Sequence, residues 1–161
     1  MSILAWDGKI IAADKRAVNG DLYITTTKLF KVLDFGMVIG GYAGFVGDAG
    51  QGMALLKWLA DGAEPIEYPA FQATENWTRL IHIDDIYSPI IVKEYQQTAY
   101  PLIHEERYLA WGSGRDYALA AMYLGKSAIE AVKFCSNFDP NCGNGVTHFE
   151  PLSKEIIRHD I

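Results

Sequence analysis

Hydrophobic and polar positions divide the chain into short apolar runs closed by turn-forming residues. Ser2 to Trp6 is apolar, Asp7-Gly8 is a hairpin signal, and Ile10 to Ala13 is a second apolar run that ends in the charged Asp14-Lys15-Arg16. This pattern predicts a β-hairpin whose first strand begins almost at the chain start and holds residue 2 rigidly. Asn19-Gly20-Asp21 reads as another turn. Leu22 to Leu33 is rich in Thr, Ile, Tyr, Phe and Val, which favour strands. Asp34-Phe35-Gly36 then turns the chain into MVIGGYAG, an expected apolar strand closing on glycines. Four strands in succession predict an antiparallel meander or a pair of hairpins.

From Phe45 to Ala60 the period changes to that of a helix, carried by Met53, Leu55, Leu56, Trp58 and Leu59 and stopped by Asp61-Gly62. The stretch 63–76 is irregular, with Pro65 and Pro69. Strands are expected at Arg79 to Ile83 and Ile90 to Glu94, separated by a turn near Ser88-Pro89, and at Tyr108 to Trp111. Arg115 to Leu124 reads as a helix broken by Gly125. Ser127, with Glu130 three residues on, forms a capping box for a further helix running to about Phe138. A loop over 139–145 precedes a last strand at Val146 to Phe149, and the tail ends in charge. Strands and helices are segregated rather than alternating, which favours an α+β class with two antiparallel layers covered by helices. No repeat or linker divides the chain, so a single domain over 1–161 is expected.

Composition narrows the function. Half of the residues are hydrophobic and 21 % are charged, which excludes general disorder. The net charge is −6, without a Lys/Arg cluster, which argues against nucleic acid as a partner. No apolar run approaches the roughly 20 residues of a membrane helix, and MSILAWDGK is not a signal peptide. No membrane association is therefore expected, and a cytoplasmic location is. Cys135 and Cys142 are too few for a disulfide framework and read as reduced thiols. His82, His104, His148 and His159 form no HxxxH pair. Asp139, Asn141 and Glu150 fall at EF-hand ligand spacings, but Gly143 and Asn144 break that pattern. No metal and no cofactor are expected.

SILAWDGKIIAADKRA resembles the opening of proteasome β subunits and of the bacterial protease HslV, particularly their short bacterial and phage relatives. KLFKV, GGYAG and AWGSGRDYA follow in that family's order, and the resemblance spans Ser2 to about Phe149. It implies an N-terminal-nucleophile (Ntn) hydrolase fold, a four-layer αββα sandwich of two antiparallel sheets flanked by helices.

The resemblance assigns Ser2 as the nucleophile after loss of Met1, in the position where the family carries Thr. A free α-amine, with an ordinary pKa of about 7.7–8.0, would share that residue and serve as its base. Asp14 corresponds to the family's Asp at the end of the second strand. Lys28 corresponds to its active-site Lys, with Lys31, three residues on and on the opposite strand face, as the alternative. A Lys beside the hydroxyl would lower its pKa, and the Asp would hold that Lys. Ala43-Gly44 matches the family's Ala-Gly, whose glycine N–H faces the oxyanion, and Tyr42 would line the first specificity pocket. Ser113 and Asp139 would orient the amine, and Cys142 replaces a further family Ser.

The function implied is hydrolysis of peptide bonds through an acyl-enzyme on Ser2, acting on peptides or unfolded proteins within a homo-oligomeric ring. The chain has no P-loop, so any ATPase would be a separate partner. The rival expectation is a catalytically inactive scaffold or oligomeric interaction protein of the same fold, with Met1 retained. A third is an amidase acting on a different substrate.

Overall fold

In the computed structural model, which describes residues 2–71, 78–87 and 89–151, the opening hairpin forms as the pattern predicts. Strand β1 (Leu4–Trp6) pairs antiparallel with β2 (Ile11–Asp14), with Leu4 opposite Ala13 and Trp6 opposite Ile11. Asp7 closes the turn by accepting from Lys9 and Ile10 N–H on Oδ1, at 2.9 and 2.7 Å, and Gly8 supplies a φ of +94°. Both strands are buried on both faces. Ile3, Ala5 and Ala12 point one way, Leu4, Trp6, Ile11 and Ala13 the other, as the two-residue period of a strand requires.

The next three strands do not continue a single meander. β3 (Arg16–Asn19) and β4 (Leu22–Thr25) make a separate two-stranded ribbon, and β5 (Leu29–Lys31) belongs to another sheet. The strand expected over MVIGGYAG begins only at Tyr42, as β6 (Tyr42–Val46). Met37 and Val38 are exposed, and Gly41 turns the chain at φ +83° where a Cβ would stand 2.2 Å from the Ile83 carbonyl oxygen. Phe45 belongs to this strand rather than to the helix. Helix α1 (Ala49–Ala60) starts later, capped by Asp48, which accepts from Gln51 N–H at 2.9 Å. Gly52 lets α1 approach the Phe45 ring, which lies 2.3 Å from where a Cβ would sit.

β7 (Arg79–Asp84), β8 (Ile91–Tyr95) and β9 (Leu102–His104) follow, then β10 (Leu109–Trp111), α2 (Arg115–Tyr123), α3 (Ala128–Cys135) and β11 (Val146–Phe149). The capping box on α3 forms as expected, with Ser127 and Glu130 bonding reciprocally to each other's backbone N–H groups. That helix ends at Cys135, short of Phe138. β3 and β9 were not anticipated from the sequence. The turn expected at Ser88, the tail from Leu152 and the last histidine lie outside the described residues.

One sheet has the order β10-β1-β2-β11 and the other β5-β6-β7-β8-β9, both antiparallel. Three apolar clusters knit these elements. Met122, Ala131, Val132 and Cys135 of α2 and α3 cover Ile3, Ala5 and Ala12. Leu4, Trp6 and Ile11 of the first sheet meet Leu29, Ile81, Ile83 and Val92 of the second. Leu55, Leu56 and Leu59 of α1 cover Phe45 and Leu80 on the far face of the second sheet. Among the described residues the fold is a mixed α/β one of three α-helices and antiparallel sheets. The start of β1 lies in its interior.

Candidate active site

Residue 2 is pinned by backbone before any side chain acts. The Ser2 carbonyl accepts from Gly114 N–H at 3.3 Å, and the next carbonyl, that of Ile3, accepts from Asp14 N–H at 3.2 Å. Gly112, at φ +108°, passes so close to the Ser2 carbonyl oxygen that a Cβ there would stand 2.1 Å from it. Ser2 is 4 % exposed. Its side chain therefore has a fixed direction.

Lys28, just ahead of β5, meets it. Nζ lies 2.6 Å from Ser2 Oγ, 2.7 Å from Asp14 Oδ1 and 2.7 Å from the Arg16 carbonyl oxygen. Lys28 is 4 % and Asp14 1 % exposed, so this is a buried ion pair. Asp14 also accepts from Ile3 N–H on Oδ1, and from Arg16 and Gly143 N–H on Oδ2, at 3.1, 3.2 and 3.1 Å. Four donors and no competing acceptor fit an ionised carboxylate. Burial lowers the Lys28 pKa from 10.5, against the opposing charge and hydrogen bond of Asp14.

The chemistry follows from counting hydrogens. Asp14 Oδ1 and the Arg16 carbonyl can only accept, so they take two of the hydrogens on Nζ. The third direction faces Ser2 Oγ. There an ammonium donates to the oxygen, whereas a neutral amine would accept the hydroxyl proton. A pKa lowered by burial brings the second state nearer, and the first stabilises a developing alkoxide. Lys31, the alternative lysine, lies on β5 at an exposed position.

Ser113 and Asp139 form a second polar group beside the first. Ser113 Oγ donates to Asp139 Oδ2 at 2.5 Å, Asn141 N–H to Oδ1 at 2.9 Å, and Cys142 Sγ to Oδ2 at 3.4 Å. Burial would raise the Asp139 pKa, but these donors outweigh it and hold the carboxyl below its ordinary value. Cys142 thus does the donating that a Ser hydroxyl would do. The two thiols are free and buried. Burial raises both, Cys135 to about 12, with the Asp139 and Asp14 charges adding to the effect. Asp139 thus accepts from Ser113 and from two groups of its own loop. Among the described residues no group of three or more His, Cys, Asp or Glu could hold a metal.

Gly44 and Tyr42 lie on the same face of β6, two residues apart. A Cβ at Gly44 would stand 2.9 Å from Leu4 Cδ1 and 3.0 Å from the Lys28 carbonyl oxygen, so glycine lets β6 pass beneath β1 next to Lys28. Tyr42 is half-buried and stacks on Phe149 of β11, with ring centroids 4.6 Å apart. Gly44 is thus brought near Lys28, while the Tyr42 ring packs against β11.

Three contributors escaped the sequence reading: the Arg16 carbonyl, the Gly143 N–H, and the Gly112 to Gly114 backbone that holds Ser2. A backbone group leaves no residue-type signature. The cluster of glycines around Gly143 was the only available hint.

No family model and no curated protein match the sequence. Solved structures do. Thiobacillus denitrificans BPH aligns at 19 % identity, covering 96 % of this chain and 100 % of that one, with a TM-score of 0.66. The same protein in complex with Epoxomicin gives 20 % identity, 94 % and 100 % coverage, and 0.66. Eukaryotic HslV from Trypanosoma brucei gives 17 %, 92 % and 98 %, and 0.65. The chain has the fold of these HslV/proteasome-type proteins. No helix among the described residues is long and apolar enough to cross a membrane.

Proposed function

We propose that this protein is a peptidase of the HslV/proteasome type, in which Ser2 becomes the nucleophile once Met1 is removed. The observation that carries the reading is the buried Lys28 ammonium, 2.6 Å from Ser2 Oγ and 2.7 Å from Asp14 Oδ1. An ion pair with each partner at most 4 % exposed is costly to bury, and here its free direction points at a hydroxyl.

In the proposed reaction, Ser2 Oγ attacks the peptide carbonyl and its proton passes to the freed α-amine of the same residue. Lys28 steadies the alkoxide, and Asp14 holds Lys28 in place. Gly44 N–H turns toward Ile81 of β7 in the ladder, so the oxyanion needs a donor other than this one. The amine then protonates the leaving nitrogen, an ester remains on Ser2, and water releases it with the amine again as base. Ser113 and Asp139 orient that amine, and Tyr42 forms part of the wall of the first side-chain pocket. The three apolar clusters support reading the fold as one domain, a four-layer sandwich with α2 and α3 outside one sheet and α1 outside the other. Unfolded proteins in the cytoplasm, held by a homo-oligomeric ring with any ATPase on a separate chain, complete the proposal.

Intact-mass spectrometry of the protein from its own host, followed by treatment with a peptide epoxyketone, tests it. An epoxyketone reacts with a hydroxyl and an amine together, so it reports on a free N-terminal Ser. Loss of one methionine residue mass, with labelling abolished in Ser2→Ala, is expected. Retained Met1 without labelling would favour the inactive scaffold, a reading to which the Ser at position 2 in place of the family's Thr already lends weight.

A further inference from the structure

The loop that supplies Gly143 N–H to Asp14 is anchored inward by the buried Asp139 and Cys142, but its outer end at Asn144 and Gly145 has no such packing. Asn144 and Gly145 sit at φ +63° and +101°, Gly143 at +155°, and residues 144 and 145 are exposed. A cleft of about 310 Å³ undercuts the loop and reaches Asp14, Gly143 and Asn144. The contacts on its exposed side are polar.

Arg16 makes two of them. Its Nη1 donates to the Pro140 carbonyl at 2.7 Å and its Nε to Asn144 Oδ1 at 3.0 Å, so the guanidinium spans both ends of the 140–144 segment. Its planar group lies over the Tyr23 ring of β4, 4.5 Å from the centroid. A Cβ at Gly143 would stand 2.8 Å from the guanidinium carbon, so glycine is what permits the approach. Asn144 returns the tie, donating from Nδ2 to the Ile24 carbonyl at 3.1 Å and to Thr25 Oγ1 at 3.0 Å. The same residue's backbone touches the reacting groups. Arg16 N–H donates to Asp14 Oδ2, and its carbonyl accepts from Lys28 Nζ.

We infer that the Arg16 guanidinium is a positioning residue, a clamp that holds the 139–144 loop so that Gly143 N–H stays on Asp14 and Asp14 stays on Lys28. This inference rests on the reading of Ser2 and Lys28 as the reacting pair, but it makes a claim of its own about the loop. The clamp needs the fork geometry of arginine, because its two acceptors lie on residues four apart. A lysine ammonium reaches one of them.

Two measurements on Arg16→Ala, Arg16→Lys and Asn144→Gly test it. Asn144→Gly keeps the positive φ and serves if the arginine variants do not fold. Amide hydrogen exchange of Gly143, read by NMR, is expected to speed up about tenfold or more in each variant, with the amides of β1 and β2 unchanged. The inactivation rate constant of a β-lactone probe on Ser2 is expected to fall about tenfold at saturation, with its half-saturation concentration unchanged. Arg16→Lys should restore neither. A merely structural role would speed exchange throughout the sheet and leave the saturating rate of the folded fraction as in the wild type. Wild-type protection of Gly143 in all three variants would overturn the inference. Lost protection in a protein whose wild type is never labelled would uphold the clamp and sink the peptidase reading.

Discussion

Replacing Asp14 by asparagine probes the network at its centre, because the two side chains share a shape and differ in charge and in one acceptor. Lys28 Nζ and Ile3 N–H point at Oδ1, Arg16 and Gly143 N–H at Oδ2. An amide offers one oxygen and one NH₂ group. If the NH₂ takes the place of Oδ2, the Arg16 and Gly143 N–H groups lose their acceptor; in the other orientation Lys28 and Ile3 do. Two buried donors are orphaned either way, at about 1–3 kcal/mol each. The Lys28 ammonium also loses its counter-charge, and removing one partner of a buried pair costs about 3–5 kcal/mol. These counts overlap, so the expected loss is about 3–5 kcal/mol, a large part of the roughly 5–15 kcal/mol that holds such a domain folded. Urea unfolding at pH 7, followed by the fluorescence of the four tryptophans, measures it.

The pH dependence supplies a second check with a definite sign. Lys28 in the unfolded chain keeps its proton up to about 10.5, while burial makes the folded protein release it earlier. Where the unfolded state binds more protons, stability rises with pH. Removing Asp14 removes the influence that opposes burial, so the folded value falls further in the variant. The variant therefore begins to gain stability at a lower pH than the wild type. Its deficit shrinks between the two folded Lys28 values and is constant above them. A deficit below about 1 kcal/mol at pH 7, or one that widens through the alkaline range, would refute the reasoning.

Two further outcomes follow from the geometry. Gly44→Ala puts a methyl 2.9 Å from Leu4 Cδ1 and 3.0 Å from the Lys28 carbonyl oxygen, so a thermal unfolding scan should report a loss of about 1–3 kcal/mol, and an unchanged midpoint would contradict the packing described here. His82 is buried with Nε2 on the Gly40 carbonyl at 2.8 Å and Nδ1 without a partner among the described residues, and burial holds its pKa below 6.5. As pH falls below 6.5, the unfolded chain takes up a proton that the folded one refuses, and stability drops by up to about 1.4 kcal/mol per pH unit until the lowered folded value is reached. Urea midpoints at pH 7 and pH 5 should differ less in His82→Gln than in the wild type.

Much of this protein was legible in its residues. Asp7-Gly8 between two apolar runs specifies the first hairpin, because the turn chemistry and the two-residue period are both local. Ser127 with Glu130 specifies the start of α3 for the same reason. The resemblance to proteasome subunits pointed to Ser2, Asp14 and Lys28, three residues that the fold brings into hydrogen-bonding contact. The boundaries failed where local propensity competed with approach. MVIGGYAG reads as strand throughout, yet Gly41 must turn beneath the Ile83 carbonyl, so pairing begins at Tyr42.

Tertiary structure alone decided which sheet each early strand joins, and thereby the contact between Lys28 and Ser2 across 26 positions of sequence. It also put Lys28, and not the exposed Lys31, beside Ser2, since burial at one strand end strips water from an ammonium and makes a carboxylate its necessary partner. The backbone donors and acceptors of Arg16, Gly114 and Gly143 were beyond the reach of the sequence. Every residue carries an N–H and a C=O, and only the path of the chain determines which of them meet a charge.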